Sequence, residues 1–260
     1  MTYLMICEKP SLMREVRSCY EKHKSEIQDK VGRIDFVALS GHVCGYYNPE
    51  DYPQWNDYKW SDFDYPIIPK NWSIKAIDDV RKKKILVEIK QKVRDYDGII
   101  VGTDSDVEGY GIYYMLENYL CITDMPALRF IEHSLTDKEI LESLLNMTDY
   151  HKDPVHIRNT QSYLMRSKAD WLYGMNATMM VTDKLDEKTR IGRVKAPTLK
   201  IVYDNSKAID NFVVSKYYQL RADYGDFSAD YTEDGVNPFK FDKKNDVINA
   251  PLKGIVSKRK

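Results

Sequence analysis

Neither sign of charge predominates in this sequence: 39 lysines and arginines face 40 aspartates and glutamates, for a net charge of −1. A whole-molecule field that would draw in a polyanion is therefore excluded, and any contact with nucleic acid has to come from local patches. Cysteine is scarce as well. Cys7, Cys19, Cys44 and Cys121 form no CxxC pair, which matches neither a zinc site nor a disulfide framework and predicts reduced thiols. No apolar run approaches the ~20 residues of a membrane helix. The apolar start, Met1 to Cys7, lacks a basic flank and a small-residue cleavage site and is cut short by Glu8-Lys9-Pro10-Ser11, so it reads as a strand and not as a signal peptide. There is no internal repeat and no low-complexity linker. What is left, 43% apolar and 30% charged over 260 residues, is an ordinary globular chain of one large or two small domains.

Strand and helix patterns alternate through the first half. Residues 3–7 form a buried-type strand, and Pro10 and Ser11 open a helix with Ser11 as its N-cap. Residues 34–39 read as a second strand, stopped by Ser40-Gly41-His42. Residues 46–73, rich in Tyr, Trp, Pro and Asp, form an irregular aromatic stretch. Apolar spacing at Ile77, Val80, Ile85, Ile89 and Val93 predicts a helix from Ile74 to about Tyr96, with Arg81 to Lys84 on its solvated face. Residues 98–102 are a third strand, apolar enough to be buried on both faces of a parallel sheet. A loop at 103–109, a helix at 110–119, a short strand at 129–131 and a helix at 136–145 follow, the last capped by Thr136 with Glu139 in the third position. The alternation predicts an α/β fold with a mostly parallel sheet. Past Tyr150 the texture changes. Residues 157–182 are helical, 190–202 join a basic turn to another helix, and 216–222 and 226–231 alternate as strands.

The most informative stretch is Ile99-Ile100-Val101-Gly102-Thr103-Asp104-Ser105-Asp106-Val107-Glu108-Gly109. Three carboxylates at alternate positions follow the C-terminal end of a buried strand, where ligands bind in open α/β sheets. In an extended loop that spacing lets two or three carboxylates converge on one hard cation, and Mg²⁺ is usually held by one or two carboxylates plus water and phosphate. An EF-hand also begins with this spacing, but its twelfth position must be acidic and here it is Met115. A solvated acidic turn without function stays open on this segment alone.

Read together with Glu8, the segment resembles the Toprim domain shared by topoisomerases, bacterial-type primases and some nucleases: a strand ending in Glu, then a strand ending in Asp-x-Asp-x-Glu-Gly. Met5-Ile6-Cys7-Glu8-Lys9-Pro10-Ser11 is similar to the opening of the topoisomerase III branch of the type IA DNA topoisomerases. Ser40-Gly41-His42, Ala169 to Asn176 and Ile191 to Leu199 resemble that family's later blocks, in order. The resemblance implies a Toprim domain over residues 1–150, a helical, winged-helix-like DNA-binding segment over 151–210, and the beginning of a β-rich arch over 211–260. It implies Mg²⁺ as cofactor, with Asp104 and Asp106 its main ligands and Glu108 close by or bridged by water. Glu8 is then the general acid–base, and Lys9 the charge near the scissile phosphate. His42, Arg166, Asp170, Arg193 and Lys195 are the candidates for DNA contact, with Asp170 facing a base and His42 equally suited to a packing role. Arg166 and Asp170, four apart on a helix, could also form a plain surface pair. Lys184, Lys188, Arg190 and Lys200, offset only by Asp186 and Glu187, make the local basic patch that the total charge hides.

The sequence departs from the family at Val107, where Arg is usual, at Tyr110, where Glu is usual, and at Lys195, where Gln is common. None of its 20 tyrosines sits in a setting like that of the family's DNA-cleaving tyrosine. The expectation is an N-terminal part, inactive in cleavage alone. It would be a fragment, one half of a split enzyme whose partner bears the tyrosine, or a shortened product that only binds DNA. A cytoplasmic, nucleoid-associated place, single-stranded regions of negatively supercoiled or catenated DNA as partner, and no membrane go with that reading. A metal-dependent Toprim nuclease is the competing function.

Overall fold

A computed structural model describes residues 1–248 of the chain, which divides into two compact units, Met1–Ala196 and Pro197–Lys260. The last stretch of the expected arch, residues 249–260, lies outside the described residues.

The first unit is built on a five-stranded sheet. β1 (Thr2–Cys7) is followed by α1 (Pro10–Lys22) and α2 (Lys24–Lys30), then β2 (Arg33–Ala38). β3 (Cys44–Tyr46) and β4 (Ile74–Ala76) pair as a separate antiparallel ribbon. α3 (Val80–Lys92), β5 (Gly98–Gly102), α4 (Val107–Leu120), β6 (Ala127–Arg129), α5 (Asp137–Leu145) and β7 (Thr148–Asp149) complete the domain core, and α6 (Pro154–Leu185) follows. The sheet order is β2-β1-β5-β6-β7, parallel except for the edge pair β6–β7.

Why the sheet is buried on both sides is visible in its alternation. Leu4, Ile6, Ile99 and Val101 pack toward Leu86, Ile89, Met115 and Leu116 of α3 and α4. Tyr3, Met5, Cys7 and Ile100 pack toward Val16, Cys19, Ile27, Ile140 and Leu144 of α1, α2 and α5. The result is the expected α/β fold, a mostly parallel sheet between two helical layers. Chain order reverses between β1 and β5, whose C-terminal ends are in register at Cys7 and Gly102. That is the topological switch point where such sheets bind ligands.

Several local expectations are corrected. Ser11 is not a cap: Lys9 holds the cap position, and Pro10 takes the first helical place, where its missing N–H costs nothing. The helix expected from Ile74 starts only at Val80, because Asp79 caps it by accepting from the N–H groups of Arg81 and Lys82, and Ile74–Ala76 is the strand β4. Its buried face is Leu86 and Ile89, with Val80 exposed and Val93 buried in the 3-10 turn that follows. The strand expected at 129–131 lies at Ala127–Arg129. Thr136 does cap α5, accepting from Glu139 N–H at 3.4 Å.

α6 is a single helix of 32 residues. Its first half packs on α4 so closely that a methyl on Gly111 would start 2.1 Å from the Tyr163 ring. Its second half is held by the aromatic stretch. Trp171 Nε1 donates to the carbonyl of Tyr47 (2.9 Å), and its ring meets Trp72 edge-on. The Asn176 side chain acts as a strand partner to Ile67: Oδ1 accepts from its N–H (2.6 Å) and Nδ2 donates to its carbonyl (3.0 Å).

The second unit, by itself, holds most of α7 (Lys195–Asp210), a hairpin of β8 (Arg221–Asp223) and β9 (Ser228–Asp230), and a short α8 (Lys244–Ile248). The expected strands are thus shorter than the alternation predicted. Tyr231, Phe239 and Phe241 cluster beside the bridge between Tyr218 and Phe241.

Candidate nucleic-acid and metal site

Glu8 is the first residue past β1, and its N–H continues the ladder to the carbonyl of Gly102 (3.2 Å). Only 8% of it is exposed. Its carboxylate accepts from the N–H of Asp104 at 3.1 Å, so the ends of β1 and β5 are tied through the side chain expected to do proton transfer. Lys9 bonds to the Asp104 carboxylate and stands 3.8 Å from that of Glu8. The bond to Asp104 raises the pKa of its ammonium, with Glu8 and Asp106 adding to the effect. A side-chain cation is therefore already held among three acids, beside an open cleft of about 550 Å³ lined also by Ser11, Ser105 and Glu132.

The loop is shorter than expected. It ends at Asp106, which caps α4 by accepting from the Gly109 N–H at 2.8 Å. Gly109 has to be glycine, since a Cβ there would stand 2.0 Å from the carbonyl oxygen of Asp104. Glu108 consequently sits in the first turn of a helix and not in an extended loop. It turns away from Asp104, its carboxylate bonded to Arg166 on α6 and 3.3 Å from His42 Nε2. Burial lowers the pKa of His42 against the opposing pull of the Glu8 carboxylate. Among the described residues no three carboxylate, imidazole or thiol side chains come close enough to hold a metal ion between them. The donors at the cleft are nonetheless hard carboxylate oxygens gathered about a cation, which fits a metal that takes one or two of them and completes its shell with water and phosphate.

Arg166 and Asp170 do not pair with each other. Arg166 reaches Glu108, and Asp170 accepts from Arg193 Nε at 2.6 Å. Arg193 is set by a ladder on α6. Thr178 accepts from Ile191 N–H (3.0 Å) and donates to its carbonyl (3.2 Å). Thr182 does the same with Thr189, at 3.1 and 3.3 Å. Two residues of extended chain cover about 6.6 Å and one helical turn of four residues about 6 Å, which is why both threonines find a partner. Lys195 opens α7 and is exposed.

Sequence reasoning passed over two residues here. Arg129 is 1% exposed at the end of β6 and bonds the acidic loop from beneath. Glu132 hydrogen-bonds Ser105 (3.3 Å), and burial raises its pKa. A charged residue closing an otherwise apolar strand was the available signal for Arg129.

A three-layer α/β/α unit with Glu8 and Asp104 side by side at its switch point defines a Toprim-type domain. Residues 3–136 match the Toprim domain family, and the chain belongs to it. Residues 155–254 match the DNA topoisomerase family. Over most of its length the chain is homologous to DNA topoisomerase 3. The protein of that name from Staphylococcus haemolyticus is 29% identical over 232 residues, 86% of this chain and 31% of its own. The one from Staphylococcus saprophyticus is 29% identical over 248 residues, 92% and 33%. A Staphylococcus aureus relative is 31% identical over 229 residues, 85% and 30%. The chain thus spans about a third of the length of the relatives it matches. Among the described residues no helix is long and apolar enough to cross a membrane.

Proposed function

We propose that this chain is the Toprim-bearing, N-terminal part of a type IA DNA topoisomerase, an isomerase component that binds single-stranded DNA and supports strand cleavage and resealing, the tyrosine being supplied by another segment. The reading rests on one observation above all: Glu8, Lys9 and Asp104 meet at the switch point of a Toprim sheet. The homology to DNA topoisomerase 3 supports it.

Glu8, nearly buried and hydrogen-bonded, is placed to exchange a proton with a sugar oxygen. Lys9, more than half exposed at its side chain, can swing from Asp104 to a phosphate and stabilise its charge. Arg193, aimed by Asp170, and Lys195 hold backbone phosphates without reading sequence. Arg166 does so from α6, and its bond to Glu108 ties that helix to the acidic edge. Asp104 and Asp106 would hold Mg²⁺, with Glu108 set further back by its partners. When bound, the ion supplies Lewis-acid stabilisation of phosphate charge. His42 belongs to the Glu108 contact and positions it. The domain limits that go with this reading are 1–150, 151–210 and 211–260.

The test is reconstitution with the remainder of the S. saprophyticus relative, the part this chain does not match, and Mg²⁺ on negatively supercoiled DNA. Relaxation that disappears with Asp104→Asn or Glu8→Ala is expected. Nicking by this chain alone, with no tyrosine-bearing partner, would replace the reading with a Toprim nuclease.

A further inference from the structure

Beneath the acidic loop lies a side chain that touches neither the cleft nor any carboxylate. The Arg129 guanidinium is buried at the end of β6. Its Nη1 donates to the carbonyls of Val101 and Thr103, both at 2.8 Å, and its Nη2 to the carbonyl of Asp104 at 2.7 Å. Its flat face lies on the Tyr110 ring, 4.5 Å from the centroid, and the Tyr110 hydroxyl is fixed by His156 Nδ1 at 2.9 Å. Tyr110 and His156 are themselves buried. The guanidinium's hydrogen-bond acceptors are all neutral, its buried Nε has no partner among the described residues, and Glu132 is the one carboxyl group whose titration its charge perceptibly lowers. Burying a guanidinium this way is costly, so such an arrangement persists where the fork geometry does something a smaller or apolar side chain cannot.

That task is visible in the backbone. After Gly102 the chain leaves the sheet, and the peptides of 103–106 lose the ladder that would orient them. Asp104 is instead pinned from both sides. Its N–H is bonded to Glu8 and its carbonyl to Arg129. With both flanking peptide planes fixed, the Cα–Cβ direction is fixed too, and only side-chain rotation remains to the carboxylate. Arg129 aligns three carbonyls at once because its donors are held in one plane, whereas the lysine ammonium is a point donor.

We propose that Arg129 is a positioning residue for the acidic site: through the carbonyls of Val101, Thr103 and Asp104 it sets the loop conformation that presents the Asp104 carboxylate to a divalent cation. The cation side of this inference rests on the proposed function; the loop side does not.

Two measurements on the full chain separate them. In Arg129→Met and in Arg129→Lys, amide hydrogen exchange at Asp104 is expected to accelerate at least tenfold, while Met5 in β1 keeps its protection. Mn²⁺ affinity by calorimetry is expected to weaken at least tenfold in both variants. A lysine variant with wild-type exchange and wild-type Mn²⁺ binding overturns the proposal, because a bare charge would then suffice. So does a fall in Tm with both readouts unchanged, which would mean general stability alone. If the methionine variant does not fold, the lysine variant decides. A wild-type chain that binds no Mn²⁺ sinks the metal reading of the site and with it the cation half of this inference, and the exchange data still decide the role of Arg129 in the loop.

Discussion

Thr178 and Thr182 carry a prediction that joins local structure to DNA binding. Replacing both with valine keeps the volume and the β-branch but removes four hydrogen bonds to Thr189 and Ile191. A net hydrogen bond contributes about 0.5–1.5 kcal/mol. The threonines and their partners are half-buried, so water recovers part of each loss, and the lower half of that range applies. Four bonds then give about 2–4 kcal/mol, lost from the attachment of residues 189–193 to α6 rather than from the whole fold. Since 1.4 kcal/mol is tenfold, the amides of Thr189 and Ile191 should exchange roughly 30- to 700-fold faster, while those of the sheet are unchanged. Arg193, no longer delivered to Asp170, should lose its place, and affinity for a single-stranded oligonucleotide should fall several-fold in fluorescence anisotropy. Retained protection at Thr189 and Ile191 would refute the ladder. Lost protection with unchanged DNA affinity would refute the role given to Arg193.

Gly111→Ala should destabilise the first unit by about 1–3 kcal/mol in urea, as overpacking does, because its methyl would collide with Tyr163; a second change, Tyr163→Leu, should recover part of the loss. Glu117 is buried on α4 with its pKa raised by burial, against the opposing pull of His151 at 3.0 Å. A carboxyl whose folded pKa is raised contributes stability only at low pH and loses it as pH rises, so Glu117→Gln should raise Tm at pH 7.5, with the gain shrinking toward pH 4.5. Burial holds His156 below the ordinary histidine value of 6.5. The unfolded chain therefore takes up that proton first, and stability falls as pH drops below about 6.5; His156→Gln should flatten the Tm-against-pH slope between 6.5 and 5, and an unchanged slope would contradict the assignment.

The strands at the switch point were legible because a parallel strand covered on both faces has to be continuously apolar, and Gly98–Gly102 is. The acidic run after it was legible for the same reason: its position past such a strand gave it meaning. The orientation of Glu108 was not. Alternation of carboxylates assumes an extended backbone, whereas Asp106 caps a helix at that point, and the pull of Arg166 comes from a residue 58 positions away. The pairing of Asp170 with Arg193 was hidden similarly, because helix spacing offers Arg166 as the near partner and only the threonine ladder brings the remote one. Ile74 reads as helical because Ile74 and Ile77 stand three apart, as on one face of a helix. The cap at Asp79 and the ribbon pairing with Tyr46 decide against it.

The four cysteines give the molecule a built-in ruler. Cys7, Cys19 and Cys44 are buried, and burial pushes the thiols of Cys7 and Cys44 up to about 12, so they resist alkylation. Cys121 is exposed at the far end of α4, whose near end is capped by Asp106. Fourteen residues of helix separate them, about 20 Å at 1.5 Å per residue. A maleimide dye will therefore attach at one point, on a rigid arm of known length whose other end is the acidic edge, and can test whether a labelled DNA strand arrives there, as the proposed function requires, without any substitution.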